Sequence, residues 1–163
     1  MKTLFLIRHA KSSWDNPDLS DADRPLNDRG RRDAPLMARR MASNWSPPEG
    51  IFCSCALRAR ETAHIMSQFW WKDREIVIDG KLYEESASSI LDFIAQKTED
   101  FDSLALVFHN PTITYLSNVL ASLSIPNVPT CGIVILKPKA NTWENLQPGK
   151  CELVDFDFPK RKH

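Results

Sequence analysis

The sequence has no excess charge of either sign, because 21 lysines and arginines balance 21 aspartates and glutamates among 163 residues. Proteins that bind nucleic acid through its phosphates usually carry a positive excess, so the total charge argues against a nucleic-acid partner. Any affinity for anions must come from a local group of basic residues. The length is that of one ordinary domain, and we expect a monomer with one domain over residues 1–163.

Long hydrophobic runs and metal-binding cysteine patterns are missing as well. The apolar run at residues 4–7 stops at Arg8, far short of a signal-peptide core or a membrane span. We therefore expect a cytoplasmic protein with no membrane partner. The four cysteines form no CxxC pair and no Cys/His cluster with zinc spacing, so we expect no metal and no other cofactor.

Short apolar runs alternate with helical patterns, which is typical of an α/β fold with a largely parallel sheet. The segment between the last two runs is rich in Pro, Asn and Gly, which favours an antiparallel return and hence a mixed sheet. The patterns predict strands over residues 3–7, 50–53, 75–78, 103–108, 132–136 and 152–158, and helices over 28–44, 58–69, 88–97 and 111–123.

Two prolines bear on where helices begin. Asn110 before Pro111 predicts an N-cap followed by proline at the first helical position, where its missing N–H does no harm. Pro35 falls inside the first long helix, which predicts a kink or a later start.

Basic side chains follow three of the predicted strands. Arg8 and His9 follow the first, Arg58 comes shortly after the second, and His109 follows the strand that ends at Phe108. Ligands of open α/β sheets bind at the carboxyl ends of strands, so these side chains are expected to meet. Guanidinium groups bind phosphate oxygens in pairs, and an imidazole can act as a nucleophile. The pattern predicts a pocket for a phosphoryl group.

Several motifs in this order resemble the histidine phosphatase superfamily, which has the phosphoglycerate mutase-like fold. They are RHA at residues 8–10, RPLNDRGRRDA at 24–34, SCALRARETA at 54–63 and FHNP at 108–111. The short chain, AKSSW at 10–14, LYEES at 82–86 and VPTCGIVILK at 128–137 are most similar to the SixA-type branch of phosphohistidine phosphatases. The resemblance implies a three-layer α/β sandwich, with helices on both faces of a mostly parallel mixed sheet.

The resemblance also implies roles for individual residues. His9 would be the nucleophile that becomes phosphorylated, Arg8 and Arg58 would hold the phosphoryl oxygens, and His109 would donate a hydrogen bond to the same group. The implied activity is hydrolysis of the N–P bond of phosphohistidine in proteins. The implied partner is a phosphohistidine-bearing protein or a small phosphorylated substrate.

Two departures from the family pattern leave alternatives open. The glycine usual before the second histidine is replaced by Phe108, whose ring must fit beside the pocket or in the core. A general acid is characteristic of many superfamily members but not of the SixA-type branch, and Glu84 is the candidate here. With that acid the protein would be a small-molecule phosphomonoesterase; without catalysis it would be a phosphate-binding module.

The segment between the first strand and the first helix has no periodicity over some twenty residues, and such long segments are often functional. Ser12 and Ser13 are candidates to contact phosphate, and the family pattern places Arg24 at the rim of the pocket. Arg24 could equally pair with a nearby aspartate.

Overall fold

The computed structural model describes residues 1–83, 86–97 and 100–163. One mixed sheet has six strands in the order β3-β2-β4-β1-β5-β6. The strands are β1 (Thr3–Arg8), β2 (Gly50–Cys53), β3 (Ile76–Ile78), β4 (Ser103–Phe108), β5 (Ile133–Pro138) and β6 (Cys151–Asp157). The helices are α1 (Asp28–Asn44), α2 (Leu57–Ser67), α3 (Ala87–Lys97) and α4 (Thr112–Ala121).

The sheet has a parallel half and an antiparallel edge. β1, β2, β3 and β4 run parallel to one another, while β5 is antiparallel to β1 and β6 is antiparallel to β5. The predicted α/β class and mixed sheet are confirmed. Most residues of β1, β2 and β4 are buried, as expected of parallel strands covered on both faces.

The sheet separates two hydrophobic layers. Successive side chains of a strand point to opposite faces. Phe5 and Ile7 of β1 accordingly pack in one layer, with the buried face of α1 and with Trp70 and Trp71. Leu4 and Leu6 pack in the other, with residues from α3 and α4. The core therefore lies on both sides of the sheet, as in a three-layer sandwich.

The structure shows where the two helices that contain or follow a proline begin. Helix α1 runs from Asp28 to Asn44 with Pro35 inside it, so Pro35 does not delay its start. The loss of one backbone N–H is tolerated because a buried face that includes Met37 and Met41 holds the helix on the sheet. Helix α4 begins at Thr112, with Pro111 as the N-cap residue, and the prediction that Asn110 is the N-cap was wrong.

Across the part of the chain that the structure describes, no helix has both the length and the hydropathy needed to span a bilayer.

Candidate active site

The carboxyl ends of β1, β2 and β4 bring the predicted basic residues together. Because β4 lies between β1 and β2, the residues that follow these strands meet at one edge of the sheet. The Nε atom of Arg58 lies 3.4 Å from the Nε2 atom of His9. The rings of His9 and His109 are 5.1 Å apart between centroids. His9, Arg58 and His109 are all buried.

His9 is held in one orientation by its own backbone and by a carbonyl. Its N–H donates to Phe108 O at 3.1 Å, and its carbonyl accepts from the N–H of Cys131 at 3.0 Å. The ring Nδ1 lies 2.7 Å from the carbonyl oxygen of Ala10. A carbonyl can only accept, so Nδ1 carries the proton. The Nε2 lone pair of neutral His9 is thus directed at the guanidinium of Arg58.

The surroundings of His9 favour its neutral form. Burial, the largest cause, and the nearby His109, Arg58 and Arg8 together lower the pKa of His9 to about 3, against the opposing effect of the hydrogen bond to Ala10. A cationic imidazolium is disfavoured where water is excluded and where other positive groups lie close. At neutral pH the Nε2 atom of His9 is therefore unprotonated, and its lone pair accepts a long hydrogen bond from Arg58 Nε.

His109 is fixed through its other ring nitrogen. Nε2 lies 2.7 Å from the hydroxyl oxygen of Ser54, a fully buried residue that follows β2. Burial, followed by the charge of Arg58, lowers the pKa of His109 to about 4. Its Nδ1 atom is buried and has no hydrogen-bond partner within residues 1–83, 86–97 and 100–163. Buried polar atoms normally have a partner, so Nδ1 fits a ligand at this position.

Arg58 faces His9 along one edge and an acidic turn along the other. Its Nη1 donates to the carbonyl oxygen of Asp21 at 2.7 Å, and its Nη2 to Oδ2 of the Asp21 carboxylate at 3.0 Å. Asp21 begins a short 3₁₀ turn, Asp21–Asp23, in the segment between β1 and α1. Only the Nε edge remains directed at His9.

Arg8 is less buried than the other three and has a different anchor. Its Nη1 donates to the carbonyl oxygen of Val128 at 2.8 Å. Its Nε atom is buried and has no partner among the described residues. Burial and the neighbouring Arg58 lower the pKa of Arg8. A buried N–H without an acceptor, in a cluster of positive groups, suits an anionic ligand.

The long segment after β1 forms a polar wall around Arg24. This buried arginine donates to the Ser12 hydroxyl at 2.8 Å and to the Ser13 carbonyl at 3.3 Å, and it also pairs with Asp21. The Ser13 hydroxyl accepts from the N–H of Asp15. The structure therefore brings Ser12 and Arg24 together, whereas the Ser13 hydroxyl bonds to the backbone of Asp15 instead.

The sequence left open where the ring of Phe108 packs and whether Glu84 is a general acid. Phe108 is 1% exposed and packs in the hydrophobic layer that contains Leu82 and Ile113, so its ring does not fill the pocket. Glu84 and its neighbour Glu85 lie outside the described residues.

Three residues near the site escaped the sequence analysis. Asp21 and Tyr83 line the same cleft as Arg58 and His109, and the Ser54 hydroxyl contacts the His109 ring. The Tyr83 hydroxyl donates to Asp21 Oδ2 at 2.6 Å. Ser54 could have been found, because it directly follows a strand, four residues before Arg58. Nothing in the local pattern distinguishes Asp21 from the other aspartates of its segment.

The cleft has a volume of about 530 Å³. Within the described residues, no group of three or more His, Cys, Asp or Glu side chains could hold a metal ion. The remaining lining residues are Ser86, Asn110, Pro111 and Thr112. Two of them, Ser86 and Pro111, are exposed, so the mouth of the cleft opens to solvent.

The sequence model of one protein family, the histidine phosphatase superfamily (branch 1), matches residues 4–87 of this chain, which carry His9 and Arg58. The chain belongs to this superfamily. A protein from Mycobacterium tuberculosis is 33% identical, over 94% of this chain and 100% of its own length. The fold also agrees with the SixA-type branch that the motifs indicate.

Solved structures support that agreement. SixA from Agrobacterium tumefaciens is 27% identical and superposes with a TM-score of 0.82, covering 97% of this chain and 98% of its own. The protein histidine phosphatase SixA in complex with tungstate shares the fold, with a TM-score of 0.81 at 21% identity, over 96% of this chain and 97% of its own.

Proposed function

We propose that the protein is a phosphatase that hydrolyses phosphohistidine in proteins through a covalent phosphohistidine on His9. The observation that carries the proposal is the position of the unprotonated Nε2 of buried His9, 3.4 Å from Arg58. A nucleophile and a fixed cation are the two groups that in-line phosphoryl transfer requires at this place.

The reaction has two steps. In the first, the Nε2 lone pair of His9 attacks phosphorus, an N–P bond forms, and the bond to the leaving group breaks. In the second, water attacks the phosphorylated His9 and releases phosphate. Both transition states spread negative charge over three equatorial oxygens, which favours fixed positive groups and N–H donors around them. Arg58, Arg8 and Nδ1 of His109 would fill that role.

The ionisation of Asp21 supports a preference for N–P bonds. The hydrogen bond from Tyr83 and the charge of Arg58 hold the pKa of Asp21 at about 2, against an opposing effect of burial. An ionised carboxylate has no proton to give to a leaving alkoxide. Imidazole, whose conjugate acid has a pKa of ~6.5, leaves far more readily than an alkoxide.

The SixA relatives of this fold, one of them described as a protein histidine phosphatase, point to the same substrate. The open mouth of the cleft suits a protein substrate, and the short chain leaves little room for an insertion that would enclose a metabolite. We therefore favour a histidine side chain of a partner protein over a free phosphate ester.

Rates on a phosphohistidine peptide and on an alkyl phosphate test the proposal. We expect hydrolysis of the peptide by the wild-type protein, slow or no hydrolysis of the ester, and no activity of His9→Ala on either. The variant Glu84→Gln should leave peptide hydrolysis intact. Efficient ester cleavage that Glu84→Gln abolishes would support a small-molecule phosphomonoesterase instead. Binding of phosphate without turnover of either compound would indicate a non-catalytic module.

A further inference from the structure

The carboxylate of Asp21 connects three side chains around the cleft. Its Oδ2 accepts from Arg58 Nη2 at 3.0 Å and from the Tyr83 hydroxyl at 2.6 Å. Its Oδ1 accepts from Nε and Nη2 of Arg24, each at 3.3 Å. Its backbone carbonyl accepts from Arg58 Nη1 at 2.7 Å. One residue thus holds two guanidinium groups that come from distant parts of the chain.

Because Asp21 occupies one edge of the Arg58 guanidinium, only the other edge remains available to bind a ligand beside His9. A guanidinium can bind an acceptor pair through its Nη1 and Nη2 end or through its Nε side. Asp21 takes the Nη1 and Nη2 end, with one backbone and one carboxylate oxygen. The Nε side is left facing Nε2 of His9, the atom to which phosphorus would become attached.

We propose that Asp21 is a positioning residue, which holds Arg58 so that its Nε side meets the phosphoryl group at His9. The proposal rests on the proposed chemistry at His9. Without Asp21, the end of Arg58 loses its carboxylate acceptor, and the long side chain gains rotamer freedom within a partly exposed cleft. The same carboxylate also pairs with Arg24, which donates to the Ser12 hydroxyl, so Asp21 orders Arg24 and Arg58 together.

A competing role for Asp21 predicts the opposite change in oxyanion affinity when the residue is removed. If Asp21 merely occupied Arg58 as an internal anion, its removal would free Arg58 and take away a negative charge that repels oxyanions. Oxyanions would then bind more tightly. If Asp21 positions Arg58, its removal weakens oxyanion binding despite the more favourable charge.

Tungstate binding to the whole protein, measured by isothermal titration calorimetry, separates the two roles. We expect Asp21→Ala to weaken tungstate binding roughly 10-fold to 100-fold, because small displacements of a binding group cost this much. Asp21→Asn, which keeps an oxygen acceptor for Arg58, should fall between Asp21→Ala and the wild type. Asp23→Ala removes the same charge from the same turn, where the carboxylate contacts the Ser20 hydroxyl, and should bind like the wild type.

Tighter or unchanged binding in Asp21→Ala would overturn the proposal. Equal losses in Asp21→Ala and Asp23→Ala would also overturn it, because they would report damage to the turn. Tungstate binding can be measured whichever substrate the protein hydrolyses. A wild-type protein that binds tungstate but leaves phosphohistidine intact would refute the proposed substrate and still allow the role of Asp21 to be tested.

Discussion

Nε2 of His109 and the hydroxyl oxygen of Ser54 lie 2.7 Å apart in the protein interior. The same oxygen accepts from the backbone N–H of Ala56 at 3.2 Å. Ser54 is fully buried, and in the described part of the chain Nε2 is the acceptor available to its hydroxyl proton. A buried hydroxyl normally donates, so neutral His109 accepts at Nε2 and carries its proton on Nδ1. Ser54 thereby leaves a donor at Nδ1 of His109, which is the role that the proposed function requires of it.

The first prediction concerns this tautomer. Nitrogen-15 chemical shifts of the His109 ring should show a protonated Nδ1 and an unprotonated Nε2 in the wild-type protein. Ser54→Ala should lose that preference and lower kcat/KM by about 10-fold, the lower end of the cost of removing an oriented donor. Ser43→Ala, which removes an exposed hydroxyl from α1, is the control. A protonated Nε2 in the wild type would contradict the assignment.

The second prediction follows from the low pKa values of His9 and His109, about 3 and about 4. An unfolded chain takes up protons on these rings near pH 6.5, whereas the folded protein does so only well below that value. The free energy of unfolding should therefore fall as the pH drops from about 7 to about 4.5, because the unfolded state binds more protons there.

Urea melts across this range, with NMR titration of the two rings, provide the measurement. The variants His9→Ala and His109→Ala should each show a shallower loss of stability than the wild type. If the ring resonances of His9 and His109 titrate with midpoints near ~6.5, burial and the arginines do not lower the pKa values of these rings, and the prediction is wrong.

The third prediction concerns the shape of Arg58 as well as its charge. Arg58→Lys keeps the charge but loses the donors that face His9 and Asp21 together, so both Arg58→Lys and Arg58→Ala should lower kcat by about 10²-fold to 10³-fold. Arg60→Ala is the matched control, since exposed Arg60 lies two residues along the same helix and contacts the Cys55 carbonyl. Near-wild-type activity of Arg58→Lys would mean that charge alone suffices.

The fourth prediction concerns the close approach of α1 to the segment after His9. A Cβ atom at Gly30 would lie 2.2 Å from the carbonyl oxygen of Lys11, which also accepts from the N–H of Asn27. Gly30→Ala should reduce the free energy of unfolding by about 1–3 kcal/mol, the usual cost of overpacking. Gly80→Ala, where a Cβ meets no atom within 4 Å, should have little effect. Equal melting temperatures for the two variants would be inconsistent with this contact.

The sequence predicts the parts of the site that follow strands. Arg8, His9 and His109 stand next to short apolar runs, and parallel topology alone brings such positions to one edge. The same reasoning fails for Asp21, because its contact with Arg58 joins residues 37 positions apart through a segment with no periodicity. The sequence also does not determine where the ring of Phe108 packs, because the face that a side chain at a strand end occupies depends on the packing of both hydrophobic layers.

The identity of the nucleophile is the central claim, and a mass measurement tests it most directly. The protein is mixed with phosphoramidate and its intact mass is read at neutral pH, followed by peptide mapping. We predict a transient gain of one phosphoryl group located on His9, and no gain in His9→Ala. Turnover of the donor with no phosphorylated protein, or an equal gain in His9→Ala, would contradict the account.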